Sequence, residues 1–540
     1  MKKTVITACS LVLAAVIGST GCGKISLKNP NMKNSETNSE LKTEDNTEVK
    51  TETNTETNTE TNTGATTEAK TEAKTEETTE AKTETTTEAK AETTAEDNTE
   101  ANSEATSEVN AESNTETETN TGSTQNIDEE ANAGGRIIDY DGYKLDQVVI
   151  LSRHNIRSPL SGGDSLLGKI TPHEWFNWTS APSELSLRGG VLETQMGQYF
   201  RQWAEEEELI PTNYHPDNGQ VRIYANSKQR TIATAQYFTA GMFPTAGLPV
   251  EYHMEFDKMD PVFTPQLTFW TDEYEKDAKD QIYEYYADAM KSLNDNYELL
   301  SDVIDLEESN GFKDQSITAF TAGDEEFSLK EGAEPGVSGS LKTACSVSDA
   351  LVLQYYEESD TQKAGFGQEL TYEQWKSISE IKDVYGDVLF TAPMIAVNVA
   401  YPLVSEIYDE MNTDGRVFTF LCGHDSNVGS VLAAIGAEDY ELPNAIEKKT
   451  PIGCKIVFTK WSKGSEVFWS ADLVYQTPSQ LRNMPILDTD SNSPEIFHIS
   501  FKNIKQNEDG LYKADEFMKI FLDAMDSYES LYQEYVEKAA

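Results

Sequence analysis

Cysteine is scarce in this chain, with 5 among 540 residues. Two of these, Cys9 and Cys22, fall near the N-terminus, which leaves Cys345, Cys422 and Cys454 for the rest. Three thiols cannot make a fully paired framework and their spacings match no zinc pattern, so a disulfide scaffold and a structural zinc module are excluded. Buried apolar thiols are expected instead. Basic charge is also short: 43 Lys and Arg stand against 94 Asp and Glu, a net charge of −51. That balance argues against nucleic acid or an anionic membrane surface as a partner. Long hydrophobic runs are missing. The one near the N-terminus, Val5 to Ile17, is too short to span a bilayer, and no later segment is long and apolar enough.

That short run follows Lys2 and Lys3 and leads through Gly18-Ser19-Thr20-Gly21 to Cys22, the layout of a secretory signal. A cysteine directly after a small residue resembles a bacterial lipoprotein cleavage site, although Ser19 stands where an aliphatic residue is usual. The expectation is a signal over 1–22, lipidation of Cys22, and an extracytoplasmic protein that meets the membrane through that anchor only. Residues 23–135 then lack what a core needs. From 31 to 135 the chain is Thr, Glu, Asn, Ala and Ser with near-repeats such as Thr-Glu-Ala-Lys, and it holds 27 acidic residues against 7 lysines. Such a segment cannot bury enough apolar surface to offset the entropy of ordering, and its like charges extend it. A solvated tether is expected.

The remaining residues, 136–540, are rich in Tyr, Phe, Trp, Leu and Val and are long enough for a sizeable core and a second lobe. Three apolar runs here stop abruptly at polar residues. Gln147 to Leu151 leads into Ser152-Arg153-His154-Asn155-Ile156-Arg157. Val221 to Ala225 leads into Asn226-Ser227-Lys228-Gln229-Arg230 and a helical pattern from Thr231 to Phe238. Val417 to Cys422 leads into Gly423-His424-Asp425 and a short apolar helix that ends at Gly436. Strand, turn and helix repeated in this way predict an α/β fold with a mainly parallel central sheet flanked by helices. Ligands bind such sheets outside the carboxyl ends of the strands, where these three turns would meet.

The meeting point gathers Arg153, Arg157, Arg230, two imidazoles and a carboxylate. Guanidinium forks match phosphate oxygens in pairs, so the ligand implied carries two negative charges. Ser227 or Asn226 is expected to cap the second helix. A histidine among arginines suits a nucleophile, because the surrounding positive charge disfavours ring protonation. The carboxylate beside the second histidine can hand a proton to the departing oxygen. The other four histidines, His173, His215, His253 and His498, have no such surroundings and read as surface or packing residues.

Arg-His-x-x-Arg-x-Pro from Arg153 to Pro159, with Gly423-His424-Asp425 far downstream, resembles the histidine acid phosphatases of the phosphoglycerate mutase-like superfamily. Ser186 to Gly190, Asn226 to Pro244, Glu334 to Gly339, Thr450 to Gly453 and Tyr475 to Asn483 are similar to its bacterial glucose-1-phosphatase and phytase branch. The resemblance covers essentially all of 136–540 and none of the tether. It implies that His154 is the nucleophile that forms a phosphohistidine and that Asp425 is the proton donor. It also implies that Arg153, Arg157, Arg230 and His424 hold the phosphate, and that no metal or cofactor is needed. Asn155 stands where many members carry glycine, and is similar to the glucose-1-phosphatase branch.

The same resemblance implies a smaller helical lobe over the site. Residues of about 265–385 read as mostly helical, with a long charged stretch from Asp277 to Asp305, and 162–218 are expected to contribute. Glu357 is a candidate pocket residue that would accept a sugar hydroxyl and repel highly phosphorylated substrates; a solvated helix carboxylate is the alternative. The expected activity is hydrolysis of phosphomonoesters, sugar 1-phosphates such as glucose 1-phosphate first. Phytase action on inositol phosphates is the runner-up. A surface binding protein on a retired scaffold fits less well with His154, His424 and Asp425 all present, and a mutase-type transferase fits less well with an exported protein, which would rarely meet its substrates. The sequence leaves the oligomeric state open.

Overall fold

The computed structural model of the chain describes residues 140–160 and 165–538. The expected signal, Cys22 and the tether lie outside the described residues.

Among the described residues nine strands are present: β1 (Lys144–Arg153), β2 (Val221–Ala225), β3 (Glu326–Ser328), β4 (Gly336–Ser338), β5 (Phe418–Gly423), β6 (Lys455–Lys463), β7 (Glu466–Tyr475), β8 (Glu495–His498) and β9 (Tyr512–Lys513). Seven form one sheet in the order β2-β5-β1-β6-β7-β8, with β9 paired to β7; β3 and β4 form a separate hairpin. The α/β architecture expected from the strand–helix alternation is present, and the parallel part of the sheet is β2, β5 and β1. Beyond β1 the pairing turns antiparallel, through β6, β7 and β8. Gly464, at φ +67°, sits in the tight turn between β6 and β7, which is why that half can run as a hairpin.

Helices cover both faces of the sheet, and the two-residue alternation of β1 shows how. Val148 and Ile150 pack with Met196, Phe200 and Phe238 from the helices Leu187–Glu206 and Gln229–Met242. Val149 and Leu151 point the other way, to Leu403, Val431 and Phe517 from the helices Pro393–Asn412, Asp425–Ala434 and Ala514–Tyr532. A strand buried on both faces reads as an unbroken apolar run, as Val148 to Leu151 does.

A third cluster lies apart from the sheet and is built by the helices Asp272–Ser292, Asn294–Val303, Ser340–Glu357 and Tyr372–Phe390. The long charged stretch is thus two helices broken at Leu293. Of 162–218, Leu167, Ile170 and Leu192 join this cluster. The 187–206 helix instead lies on the sheet, because most of its apolar stripe (Met196, Tyr199, Phe200, Trp203) faces β1 and β5.

Candidate active site

The three parallel strands end level with one another. Arg153 pairs with Gly423 and Ala225 with Cys422, so the next residues, His154, His424 and Asn226, leave the sheet side by side. Backbone bonds carry the register one step past the strands: His154 N–H donates to Gly423 O at 3.0 Å and Asn226 N–H to Cys422 O at 2.9 Å. The two imidazoles end 5.4 Å apart between centroids, edge to face.

Both rings have a tautomer set by their neighbours. His154 Nδ1 lies 2.9 Å from the carbonyl oxygen of Asn155. A carbonyl only accepts, so Nδ1 carries the hydrogen and Nε2 keeps its lone pair. For His424 the fixing group is Asn226. Its Oδ1 accepts from Asp260 N–H, so its Nδ2 is the donor, 2.7 Å from His424 Nε2. The hydrogen of His424 therefore sits on Nδ1, on the side of Arg230, whose Nη2 is 3.5 Å away. One ring thus offers a lone pair and the other a donor. Burial, then Arg230, His424, Arg157 and Arg153, hold the His154 pKa well below its ordinary value of 6.5. Burial and Arg230 do the same for His424.

These partners overturn the expected cap of the second helix. Asn226 is committed to His424 and Asp260, and Ser227 Oγ accepts from Met254 N–H, so Lys228 takes the N-cap position with no side-chain bond. The helix still brings Arg230 to the site from its first turn.

The three arginines are buried or nearly so, and each has an Nε–H with no hydrogen-bond partner among the described residues. Arg153 donates Nη1 to Glu447 at 2.6 Å and has Nη2 3.6 Å from Asp425. Arg157 pairs with Asp349 at 2.8 Å. Arg230 makes no ion pair among the described residues, and burial together with Arg157 lowers its pKa to about 10. Buried donors are rarely left unpaired, and a buried cation beside other cations is costly without a counter-ion. The arrangement is completed by an anion with several oxygens.

Asp425 begins the helix Asp425–Ala434, and its side chain is the most open of the group, 35% exposed. Its Oδ2 lies 3.1 Å from Lys382 Nζ. Burial would push this carboxyl up, but Lys382, Arg153 and His154 outweigh it and hold it well below its ordinary value. Sequence reasoning placed six charged or polar groups here, and the structure brings Arg153, His154, Arg157, Arg230, His424 and Asp425 together. It missed Lys382, Asp349 and Glu447, which come from two helices and a loop remote in sequence. No local pattern in the sequence marks them.

The loop that carries His154 rests on a fully buried ion pair. Asn155 Nδ2 donates to Glu193 at 2.9 Å, and the other Glu193 oxygen is 2.9 Å from Lys455 Nζ. Asn155 fits because position 453 is glycine. A Cβ there would stand 2.6 Å from Asn155 Nδ2, and the backbone has φ +71°.

Glu357 is held on the helix Ser340–Glu357 beside the start of the helix Leu187–Glu206. It accepts from Ser186 Oγ at 2.9 Å and sits 3.9 Å from Arg188, and none of the six site groups is among these partners. Glu334, in the loop before β4, is an exposed carboxylate that shares a field with the site. Desolvation and Asp425 raise its pKa, against Lys342 and Arg230, and it has no hydrogen bond or ion pair among the described residues.

The sequence comparisons agree with this geometry. The family model for the histidine phosphatase superfamily (branch 2) matches residues 144–474. The glucose-1-phosphatase of Salmonella typhimurium is 37% identical over 383 residues, 70% of this chain and 92% of that protein. Phytase AppA of Escherichia coli is 26% identical over 376 residues, 65% of this chain and 85% of that one. In fold, the phytase from Citrobacter braakii superposes with a TM-score of 0.64 at 23% identity, covering 72% of this chain and 98% of the other. With its strand-end histidines, its arginines and a matching span that includes most of the sheet, the chain belongs to the histidine phosphatase superfamily, branch 2, and is a phosphomonoester hydrolase.

Proposed function

We propose that this chain hydrolyses sugar 1-phosphates, glucose 1-phosphate first among them, outside the cytoplasm and through a phosphohistidine at His154. The observation that carries the reading is the His154 Nδ1–H to Asn155 carbonyl bond, which leaves Nε2 unprotonated beneath three buried arginines. In the first step Nε2 attacks phosphorus, the bond from phosphorus to the sugar oxygen breaks, and Asp425 gives that oxygen its proton. In the second, Asp425 takes a proton from water as the water oxygen displaces Nε2. Arg153, Arg157, Arg230 and the Nδ1–H of His424 hold the phosphate oxygens and stabilise the charge on them.

Asp425 is ionised in the free protein, so its proton arrives with the substrate. A phosphate monoester has its second pKa near about 6, and below this the monoanion brings one proton into the site. Bound phosphate also offsets the field of Arg153 and Lys382, which lets the carboxyl accept that proton.

The sugar preference rests on the similarity to a glucose-1-phosphatase and on Glu334. An unpaired carboxylate at the edge of the site can accept a sugar hydroxyl and repels a second phosphate group. We assign to Glu334 the bordering role expected of Glu357, whose carboxylate is occupied by Ser186 and Arg188. Similarity to phytase AppA supports inositol phosphates as the second reading. The proposed anchor is Cys22, with the acidic stretch as its tether to the enzyme.

The test is phosphate release by the full chain from glucose 1-phosphate and from phytate, with His154→Ala as control and a chelator present. Release by the native chain alone, faster from glucose 1-phosphate, is the expected result. Release from neither substrate between acidic and neutral pH overturns the reading.

A further inference from the structure

Lys382 sits on the helix Tyr372–Phe390, outside the sheet and outside every motif at the strand ends. Its side chain is 14% exposed, and its ammonium faces three carboxylates: Asp349 at 3.1 Å, Asp425 at 3.1 Å and Glu447 at 3.4 Å. The ammonium donates to Glu447 and is ion-paired with Asp349 and Asp425. The same three carboxylates reach two phosphate-holding arginines, since Asp349 also pairs with Arg157 and Glu447 with Arg153. Lys382 is thus the knot at which the helical cluster meets the proton donor at the start of the helix Asp425–Ala434.

We infer that Lys382 is a positioning residue for the leaving-group acid: it fixes the Asp425 carboxyl where the departing oxygen will be, without touching substrate. The inference rests on the phosphohistidine reading of the same site. Asp425 has few other restraints. Its Oδ1 accepts only from the N–H of Ser426, and its Oδ2 faces Lys382 and, at 3.6 Å, Arg153. The charged and titratable groups around it include Arg153 and His154 at the end of β1, the adjacent His424, Arg230, Lys382 with Asp349, and Glu334 on the loop before β4. Without Lys382 the half-open carboxyl is free to turn to solvent, while Asp349 and Glu447 keep their arginines. Phosphate binding should then survive, and protonation of the leaving oxygen should fail.

Two substrates separate these outcomes. In p-nitrophenyl phosphate the leaving group departs without a proton; the sugar oxygen of glucose 1-phosphate needs one. The value of kcat/KM covers steps up to the phosphohistidine, so it reads the acid's part directly. Lys382→Met should lower kcat/KM for glucose 1-phosphate by about 10²-fold, the low end of a general acid's contribution, and for p-nitrophenyl phosphate by less than about tenfold. Asp425→Asn should show the same pattern, and the double variant should lose little more than Asp425→Asn alone, because the two act as one unit. Lys382→Arg, which keeps the charge, should recover most of the discrimination. If Lys382→Met fails to fold, Lys382→Gln carries the same comparison, read beside its thermal unfolding.

Equal losses on the two substrates, or additive losses in the double variant, overturn the inference and leave Lys382 a structural charge. Failure of the native chain on both substrates is a different result, and sinks the phosphatase reading itself.

Discussion

The side-chain amide of Asn155 donates to Glu193 at 2.9 Å, inside the sheet–helix interface and directly beneath the histidine loop. Asn155 thereby has two ends in use. Its side chain is locked by Glu193 and by the N–H of Ile156, and its backbone carbonyl receives the Nδ1–H of His154. A buried ion pair under the loop therefore sets the plane of the carbonyl that sets the tautomer of the ring.

Removal of Glu193 tests that chain of support. Glu193 and Lys455 are both fully buried, so Glu193→Ala strands an ammonium that keeps the Gly453 carbonyl and the rings of Phe238 and Phe420 but no carboxylate. Breaking a buried pair in this way costs about 3–5 kcal/mol. The expected result is a lower melting temperature, and a lower kcat in whatever fraction stays folded. Unchanged thermal unfolding would show that the pair carries no load.

The pH dependence follows from the two depressed imidazoles. With His154 and His424 both held well below 6.5, the unfolded chain binds protons below about pH 6.5 that the folded chain does not. Their contribution to stability is full above that value and falls as pH drops toward the folded pKa values. Activity runs differently. His154 stays unprotonated well into the acid range, while the substrate monoanion declines above about pH 6. The expected kcat/KM for glucose 1-phosphate thus falls as pH rises through about 6, and its acid limb lies well below 6.5. A profile that rises from pH 5 to 8 would contradict this.

How much of this site could be read from the sequence depended on what placed each residue. His154, Arg157, His424 and Asp425 follow directly on strands, and a buried strand announces itself as an apolar run, so the residues after it were legible as a group. Arg230 was readable from the same logic one helical turn later. Lys382, Asp349 and Glu447 were not. Each is one charged residue of a helix or loop, and what marks it is burial against the other two, which depends on tertiary packing between distant segments. The antiparallel half of the sheet escaped for a related reason: β6 and β7 end at no catalytic turn. Asn226 looked like a cap because of its position before a helix, and the partner that won it, His424, lies 198 residues away.

The anchor is tested by fractionation. Cys22 follows a small residue after a short apolar run, and the native chain is expected to partition with membranes through it. Cys22→Ala should move phosphatase activity into the soluble fraction with kcat unchanged, since the acidic stretch separates anchor and enzyme. A variant that stays with the membrane would place the attachment elsewhere.

Substrate choice tests the reassignment from Glu357 to Glu334. Glu357 is half-buried and Glu334 exposed, and the pKa of both carboxyls is raised. They differ in company: Glu357 is bound to Ser186 and lies near Arg188, whereas Glu334 feels Asp425 and Arg230 and has no partner of its own among the described residues. A second phosphate group on the substrate would meet the charge of Glu334 and not that of Glu357. Glu334→Gln should therefore raise the ratio of kcat/KM for phytate over glucose 1-phosphate by about tenfold, the size of one screened interaction of ~1.4 kcal/mol. Glu357→Gln should leave that ratio where it was and act through the Ser186 contact on stability. If the ratio moves with Glu357 and not with Glu334, the carboxylate that guards the pocket is the one on the Ser340–Glu357 helix, and the mouth of the site lies on the Ser186 side.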